Sequence, residues 1–303
     1  MDKVFYNKSS ADSLGWTPDW FGAAAHDEKL VKAIRSWQKK NGLTADGLCG
    51  PSTYRRIWTE RESEISDYIN FCPPDRDDSV IICNSKPVVI EWPKVVLWDD
   101  ANGLRLPTHK GCYDYSGKPD RKPTMFVNHW DVCLSAKSCA SVLQKRGISV
   151  HFCIDNDGTI YQLLDTQHGA WHAGVGKINH KSIGVEISNA YYTKYQGWYE
   201  KHGFGPRPVR KDAWVNGSNL EEHLDFYPVQ IQALQALWKA CANAYDIPLL
   251  SIPSGDPVFK TSTKTESKVS NGSFKGFVSH YHITKRKIDC AGLDIVHLLE
   301  GVN

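Results

Sequence analysis

Apolar residues recur at helical spacing between residues 26 and 60. Leu30, Ile34 and Trp37 fall on one stripe, while Lys29, Lys32, Arg35, Lys39 and Lys40 occupy the other faces. Asn41-Gly42 supplies a left-handed stop for that helix, and Asp46-Gly47 and Gly50-Pro51 mark turns. Ser52 or Thr53 can cap a second, short helix that carries Tyr54 and Ile57. The spacing therefore predicts a small basic helical module, a type of unit that sometimes binds DNA. The stretch from Glu60 to Ser79 changes character: seven acidic residues and the pair Pro73-Pro74 predict a connecting helix and a linker.

Beyond it the pattern alternates between strands and helices. Val88–Ile90, Val95–Trp98, Thr124–Asn128, Ser149–Ile154 and Thr159–Leu163 read as strands, the last two joined by an Asn156-Asp157-Gly158 turn. Ala136–Arg146 and Val229–Tyr245 read as helices, the second carrying Ile231, Leu234, Trp238, Cys241 and Tyr245 on one stripe. In Ser182–Ser188, Ile183, Val185 and Ile187 alternate with Gly184 and Glu186, which places the glycine and the acid on the opposite face. Gly276–Tyr281 closes the strands and a helix near Leu293–Leu299 ends the chain. The fold class is α/β, a mixed central sheet flanked by helices, preceded by a small all-α domain. Boundaries follow at 1–62, 63–86 for the linker and 87–303, with two modules free to move apart without a shared core. Asn189–Tyr227 is long and irregular, the mark of a functional or disordered segment.

Length and charge narrow the function classes. The chain has 303 residues, and 36 basic against 34 acidic side chains leave a net charge of +2, too little for a protein built to hold nucleic acid. No apolar run is long enough to insert in a membrane. Met1-Asp2-Lys3 opens no secretory leader, so synthesis in a cytoplasm is expected, with most of the 9 cysteines reduced and buried. No Cys-x-x-Cys pair is present. The 11 tryptophans and 13 tyrosines exceed what a core usually needs, and such flat rings suit sugars and peptides.

Three local settings carry chemistry. His129 ends a predicted strand, Ser279-His280-Tyr281-His282 ends the last one, and Lys287-Ile288-Asp289-Cys290 follows at once. Two histidines on neighbouring strand ends, with an acid or thiolate on the next loop, meet the needs of a zinc site with three protein ligands and one water.

Two resemblances then give these residues a context. Gln38, Asn41-Gly42-Leu43, Asp46-Gly47, Gly50-Pro51 and Thr53-Tyr54 stand in the order found in the small three-helix peptidoglycan-binding domains, which implies a non-catalytic wall anchor. Val127-Asn128-His129-Trp130, Ile148-Ser149-Val150-His151, Ala170-Trp171-His172-Ala173-Gly174, Ser182-Ile183-Gly184-Val185-Glu186 and His282 with Lys287-Ile288-Asp289 resemble the zinc-dependent N-acetylmuramoyl-L-alanine amidases. That family includes phage lysis amidases, wall-recycling amidases and peptidoglycan recognition proteins.

Carried over position by position, the resemblance implies His129, His282 and Asp289 as zinc ligands, with Cys290 the rival for the third. Cys290 lies eight residues after His282, but only Asp289 has a lysine two residues before it. Glu186 and Lys287 match catalytic positions, and Trp171, His172 and Trp130 substrate-binding ones. No tyrosine role is implied before His151, where Val150 stands. The implied reaction is cleavage of the amide between N-acetylmuramic acid and L-alanine of the stem peptide by zinc-activated water. The partner is bacterial peptidoglycan and the protein a monomeric endolysin that reaches the wall through a pore. A recognition module that binds without cutting and a wall-recycling amidase are the alternative readings.

Overall fold

A computed structural model describes residues 1–65, 68 and 79–302. The chain opens with three helices, α1 (Lys3–Leu14), α2 (Glu28–Lys40) and α3 (Pro51–Ile65). Asp2 and Asp27 cap the first two, their carboxylates accepting first-turn amides. The turn between α2 and α3 is held by one buried side chain. Gln38 Nε2 donates to Asp46 Oδ1 (2.9 Å), Leu48 O (3.0 Å) and Thr53 Oγ1 (3.0 Å), and Oε1 accepts from Gly47 N (2.8 Å). Gly47 sits at φ +78°, and a Cβ there would meet Val31 at 2.9 Å. Gln, Asp-Gly and Thr recur together because they are one hydrogen-bonded turn.

The larger part of the chain is built on a six-stranded sheet. Its strands in chain order are β1 (Val95–Val96), β2 (Met125–Trp130), β3 (Phe152–Ile154), β4 (Ile160–Gln162), β5 (Ser182–Ile187) and β6 (Gly276–Ser279). Across the sheet they run β6-β2-β5-β3-β4-β1. The first four are parallel, β4 turns antiparallel to β3 as a hairpin, and β1 is parallel to β4. Helix α4 (Ala136–Arg146) follows β2, the short α5 (Gly176–Lys181) leads into β5, and α6 (Gln196–Lys201) and α7 (Pro228–Tyr245) come after it.

Alternation gives the sheet two different faces. Phe126, Trp130, Phe152, Ile154, Ile183, Val185, Ile187 and Phe277 form the main core with Leu234, Leu237 and Trp238 of α7. On the opposite face Val96, Val150, Cys153, Tyr161 and Leu163 pack with α4, while Met125, Val127, Ile178 and Val278 cluster with α5. The segment expected to be irregular between 189 and 227 is ordered around Arg207. Its Nη2 donates to Ser188 O (2.8 Å) and Gln230 Oε1 (2.7 Å), and the guanidinium lies 4.5 Å from the Tyr199 and Tyr227 rings.

Two expectations change. Val80–Cys83 and Lys86–Val89 pair as an antiparallel hairpin, with Ile81 buried in the main core, so residues before 87 already pack with the sheet. Within the linker assigned to 63–86, residues 66–67 and 69–78 lie outside the described residues. The helical module is also not loosely tethered. Ala11, Leu14, Trp16, Leu30, Ile34 and Tyr54 share a single core cluster with Ala136, Cys139, Val142 and Leu143 of α4. Trp58 Nε1 donates to Ser138 Oγ (3.1 Å), Ser138 Oγ donates to Glu62, and Thr59 Oγ1 donates to Val132 O (2.8 Å). The Arg56 guanidinium stacks 3.3 Å from the Tyr192 ring, and Lys194 pairs with Glu60 at 2.8 Å. An acidic, proline-containing sequence reads as a spacer only when nothing before it has an apolar face to bury; α3 has one.

Candidate metal centre and catalytic cleft

The site forms where the parallel strands end. His129 of β2 pairs in register with Glu186 of β5, which pairs with Cys153 of β3. On the other flank Ser279 pairs with Asn128, so the next residue, His280, comes beside His129 with ring centroids 4.5 Å apart. Residues in register on adjacent strands point to one face, so His280, His129, Glu186 and Cys153 make a row across the sheet.

Asp289 closes the group from the following loop. Its Oδ2 lies 3.0 Å from Nδ1 of His129 and 3.0 Å from Nδ1 of His280. Ligand atoms of His129, His280 and Asp289 all fall within 4.8 Å of one another, and all three residues are buried. Burial, with the neighbouring His280 charge, pulls the His129 imidazole down to about 4, so the ring is neutral at pH 7. Burial works against the charge on Asp289, but His280, the hydrogen bonds from both imidazoles and Lys287 hold its carboxyl well below the usual range. Two imidazole nitrogens and one ionised carboxylate are a donor set that fits zinc.

His282, the expected second histidine, does not enter this group. The chain turns into a 3-10 helix at His280–His282, which rotates the third residue away from the strand face. His282 Nδ1 accepts from Ser279 N (2.9 Å) and its Nε2 donates to Ser262 O (2.7 Å), so both ring nitrogens are taken. His280 takes the place beside His129. His280 directly continues the strand, whereas the eight-residue spacing to Cys290 counts from His282. Cys290 is fully buried in the main core, where burial and the Asp289 charge keep its thiol neutral.

Glu186 is only partly buried, yet its Oε2 is enclosed and, among the described residues, has no hydrogen-bond partner. Burial first, then Asp131 and Asp289, push its carboxyl up to about 8, with Arg55 and Lys287 pulling the other way. Lys287 is half-buried on the loop before Asp289. His172 stands behind the centre: Nδ1 lies 2.9 Å from His129 Nε2, and Nε2 lies 3.0 Å from Ser182 Oγ. Its neighbour Trp171 is 40% exposed and 5.4 Å from the Tyr113 ring, which stacks at 3.9 Å on His180. Tyr113 and His180, which pattern reading did not single out, thus extend an aromatic shelf at the rim. Trp130 lies elsewhere. As the next residue after His129 it points to the opposite face, 4% exposed, against Tyr191, His223 and Phe226.

Comparison with known proteins agrees with both halves of the chain. The N-acetylmuramoyl-L-alanine amidase family profile matches residues 119–290, more than half of the chain, and a peptidoglycan binding domain profile matches residues 14–57. A search of curated proteins finds no match. Among solved structures, the Ph2119 endolysin from the Thermus scotoductus MAT2119 bacteriophage Ph2119 shares 16% identity over 69% of this chain and 99% of its own, at a TM-score of 0.36. The N-acetylmuramoyl-L-alanine amidase LysCS from Clostridium intestinale shares 18% over 64% of this chain and 86% of its own, at 0.35. The E. coli amidase AmiD, solved with anhydro-N-acetylmuramic acid-L-Ala-D-gamma-Glu-L-Lys, shares 20% over 54% of this chain and 70% of its own, at 0.31. Overlaps this loose add nothing to the assignment, which rests on the extent of the family match. The chain belongs to the N-acetylmuramoyl-L-alanine amidases, enzymes that cut peptidoglycan, and carries a peptidoglycan-binding region in front of the catalytic one.

Proposed function

We propose that His129, His280 and Asp289 hold a catalytic zinc ion and that Glu186 and Lys287 act beside it on the amide between N-acetylmuramic acid and L-alanine. The observation that carries this reading is the buried His129–His280–Asp289 group with the unpartnered Glu186 oxygen next to it. Bound zinc supplies a water of pKa about 7 and polarises the carbonyl under attack. Glu186 takes the water proton at Oε2 and returns it to the departing alanine nitrogen, a role suited to a carboxyl group raised by burial. Lys287 places its cation where negative charge develops on the carbonyl oxygen. Trp171 and Tyr113 offer rings to the sugar or the stem. His172 holds the orientation of His129. A complete donor set together with Glu186 favours cleavage over recognition without cutting.

In this reading the protein is an endolysin that works as a monomer and reaches the wall through a pore at lysis. Residues 1–62 are its wall anchor, and the catalytic part acts on polymer in preference to soluble recycling fragments. The stem peptide it meets bears carboxylates, as does the ligand bound by AmiD.

The test is zinc content and amide cleavage measured together. One zinc per chain is expected. Asp289→Ala should lose it, Cys290→Ser should keep it, and Glu186→Gln should keep both zinc and fold while losing about 10²–10⁴ in turnover. Wild-type turnover in a zinc-loaded Glu186→Gln protein would overturn the role of Glu186, and zinc loss in Cys290→Ser alone would overturn the ligand set.

A further inference from the structure

Trp214 is held out in solvent by a rigid frame. Trp214–Val215 and Ser218–Asn219 pair antiparallel across Asn216-Gly217, whose φ angles of +53° and +82° are those of a two-residue hairpin turn. Ala213 and Val215 on either side are buried in the main core, so alternation sends Trp214 outwards, 52% exposed. A third segment pins the turn: Asn216 N donates to Thr263 O (2.8 Å), and Asn216 Oδ1 accepts from Thr265 N (2.7 Å). Among the described residues the indole has no ring partner and its Nε1 no hydrogen bond.

Single exposed apolar side chains are ordinary, but a cavity of about 260 Å³ opens against this one. Trp214, Arg210, Asp212, Ser254, Asp256 and Gly292 wall it. Arg210 pairs with Asp225 at 2.6 Å and has room only because residue 292 is glycine, where a Cβ would lie 2.8 Å from Arg210 Nε. Asp256 Oδ1 accepts from Val258 N (2.7 Å) and Ser254 Oγ donates to Phe259 O (2.6 Å), which fixes the loop opposite. Asp212 is exposed, and its carboxylate has no hydrogen bond or ion pair among the described residues. None of His129, Glu186, His280, Asp289 or Trp171 lines this cavity, so it is separate from the catalytic cleft, yet Gly292 follows Asp289 by three residues on the same loop.

The walls suit a neutral sugar. A flat indole takes the C–H face of a pyranose ring, and carboxylate and hydroxyl oxygens beside it take the ring hydroxyls. Two acids against one arginine that is already paired disfavour the carboxylates of a stem peptide. A purely apolar partner would strip water from Asp212 and Asp256 with nothing in return. Peptidoglycan, the polymer this family cuts, is strung on a chain of N-acetylated sugars.

We propose that the Trp214 cavity is a second saccharide site, which takes a neutral N-acetylated sugar of the glycan strand away from the bond being cut. It adds a grip on polymer to that of the wall-binding region and gives soluble fragments nothing. This rests on peptidoglycan being the substrate and not on which residues hold zinc.

The experiment uses the full-length, zinc-loaded protein labelled with 5-fluorotryptophan, and the N-acetylglucosamine tetramer as probe. The fluorine signal missing from Trp214→Phe is that of Trp214. The tetramer should move this signal saturably, and Asp212→Asn should weaken the apparent affinity about tenfold, the worth of a charge-assisted hydrogen bond. Trp214→Ala, shown by its melting curve to be folded, should lyse purified sacculi several-fold more slowly while cutting a soluble muramyl tripeptide at the wild-type rate. A Trp214 signal unmoved by the tetramer, or wild-type lysis by Trp214→Ala, overturns the site. An equal loss on both substrates also overturns it, since Trp214 would then serve the cleft. A signal moved by butylamine and not by the tetramer would make the cavity a cation site and overturn the sugar. Failure of the wild type to cut either substrate would refute the amidase reading itself, whatever the tetramer does to the signal.

Discussion

A Cβ on Gly184 would lie 2.6 Å from Nδ1 of His172. The imidazole that braces His129 occupies the space that any larger residue would need on β5, two positions before Glu186. Gly184 is in strand conformation, so alanine there is forbidden by the ring and not by the backbone. Gly184→Ala should fold, push His172 off His129, and lower turnover or zinc affinity about 10–100-fold. Activity and zinc titration of a variant with a wild-type circular dichroism spectrum check this; unchanged values would mean that His172 has no positioning role.

The two histidines of the 3-10 turn should separate cleanly by readout. His280→Ala is expected to lose metal and activity with a modest change in melting temperature. His282→Ala is expected to keep the metal but destabilise the fold by about 1–3 kcal/mol, because the Ser279 amide and Ser262 carbonyl lose their buried partner. Inductively coupled plasma analysis and denaturant unfolding distinguish them, and metal loss confined to His282→Ala would reverse the ligand assignment.

The seam between α3 and α4 predicts one cooperative unit. Full-length protein should give a single calorimetric transition. Deleting residues 1–62 bares the face of α4 that shares a core with Leu14, Leu30 and Tyr54, and should lower the melting temperature by several degrees or leave the product aggregated. Trp58→Ala should cost about 2 kcal/mol in the intact chain. Two separate transitions, or a truncated protein as stable as the whole, would contradict the shared core.

Asp155 gives a pH-dependent prediction. Burial pushes its carboxyl up to about 6 from an ordinary 3.8, against amide hydrogen bonds from Asn156 and Ala136. A carboxyl raised in the folded state contributes stability that is complete below the unfolded value and is lost as pH rises through 6. In Asp155→Asn the amide oxygen keeps both backbone bonds and the charge is gone. The variant should therefore melt above wild type at pH 8, with the gap closing towards pH 4. A gap of the same size at both pH values would remove ionisation as its cause.

Local pattern carried the elements well where one face is apolar throughout. Ala136–Arg146 is helical over the residues read from its stripe, and the strand with Ile183, Val185 and Ile187 does bury those three and leave Glu186 on the other side. His129, Glu186 and Asp289, which the fold brings close together, each sit in a run of distinctive neighbours. The choice between His280 and His282 was not legible, since it depends on whether the backbone stays extended or coils after Ser279. Trp130 was misplaced by treating a motif neighbour as a spatial one, although alternation with His129 already put it on the far face. The seam was hidden because α3 looks polar in composition, and its docking depends on single residues such as Trp58 and Thr59 finding Ser138 and Val132.

The row formed by His280, His129, Glu186 and Cys153 has a practical meaning for anyone who would alter this protein. Its members are spaced by the ladder of the sheet, about 4.8 Å per strand, and not by the lengths of the segments that join them. Changes of length in the joining segments leave that ruler intact wherever their own packed residues, such as Tyr191, Val215 and Phe226 between 189 and 227, are kept. Sliding one strand by a single residue would be another matter. It would turn every member on that strand to the α7 side in one move and at the same time pull that strand's apolar residues out of the main core.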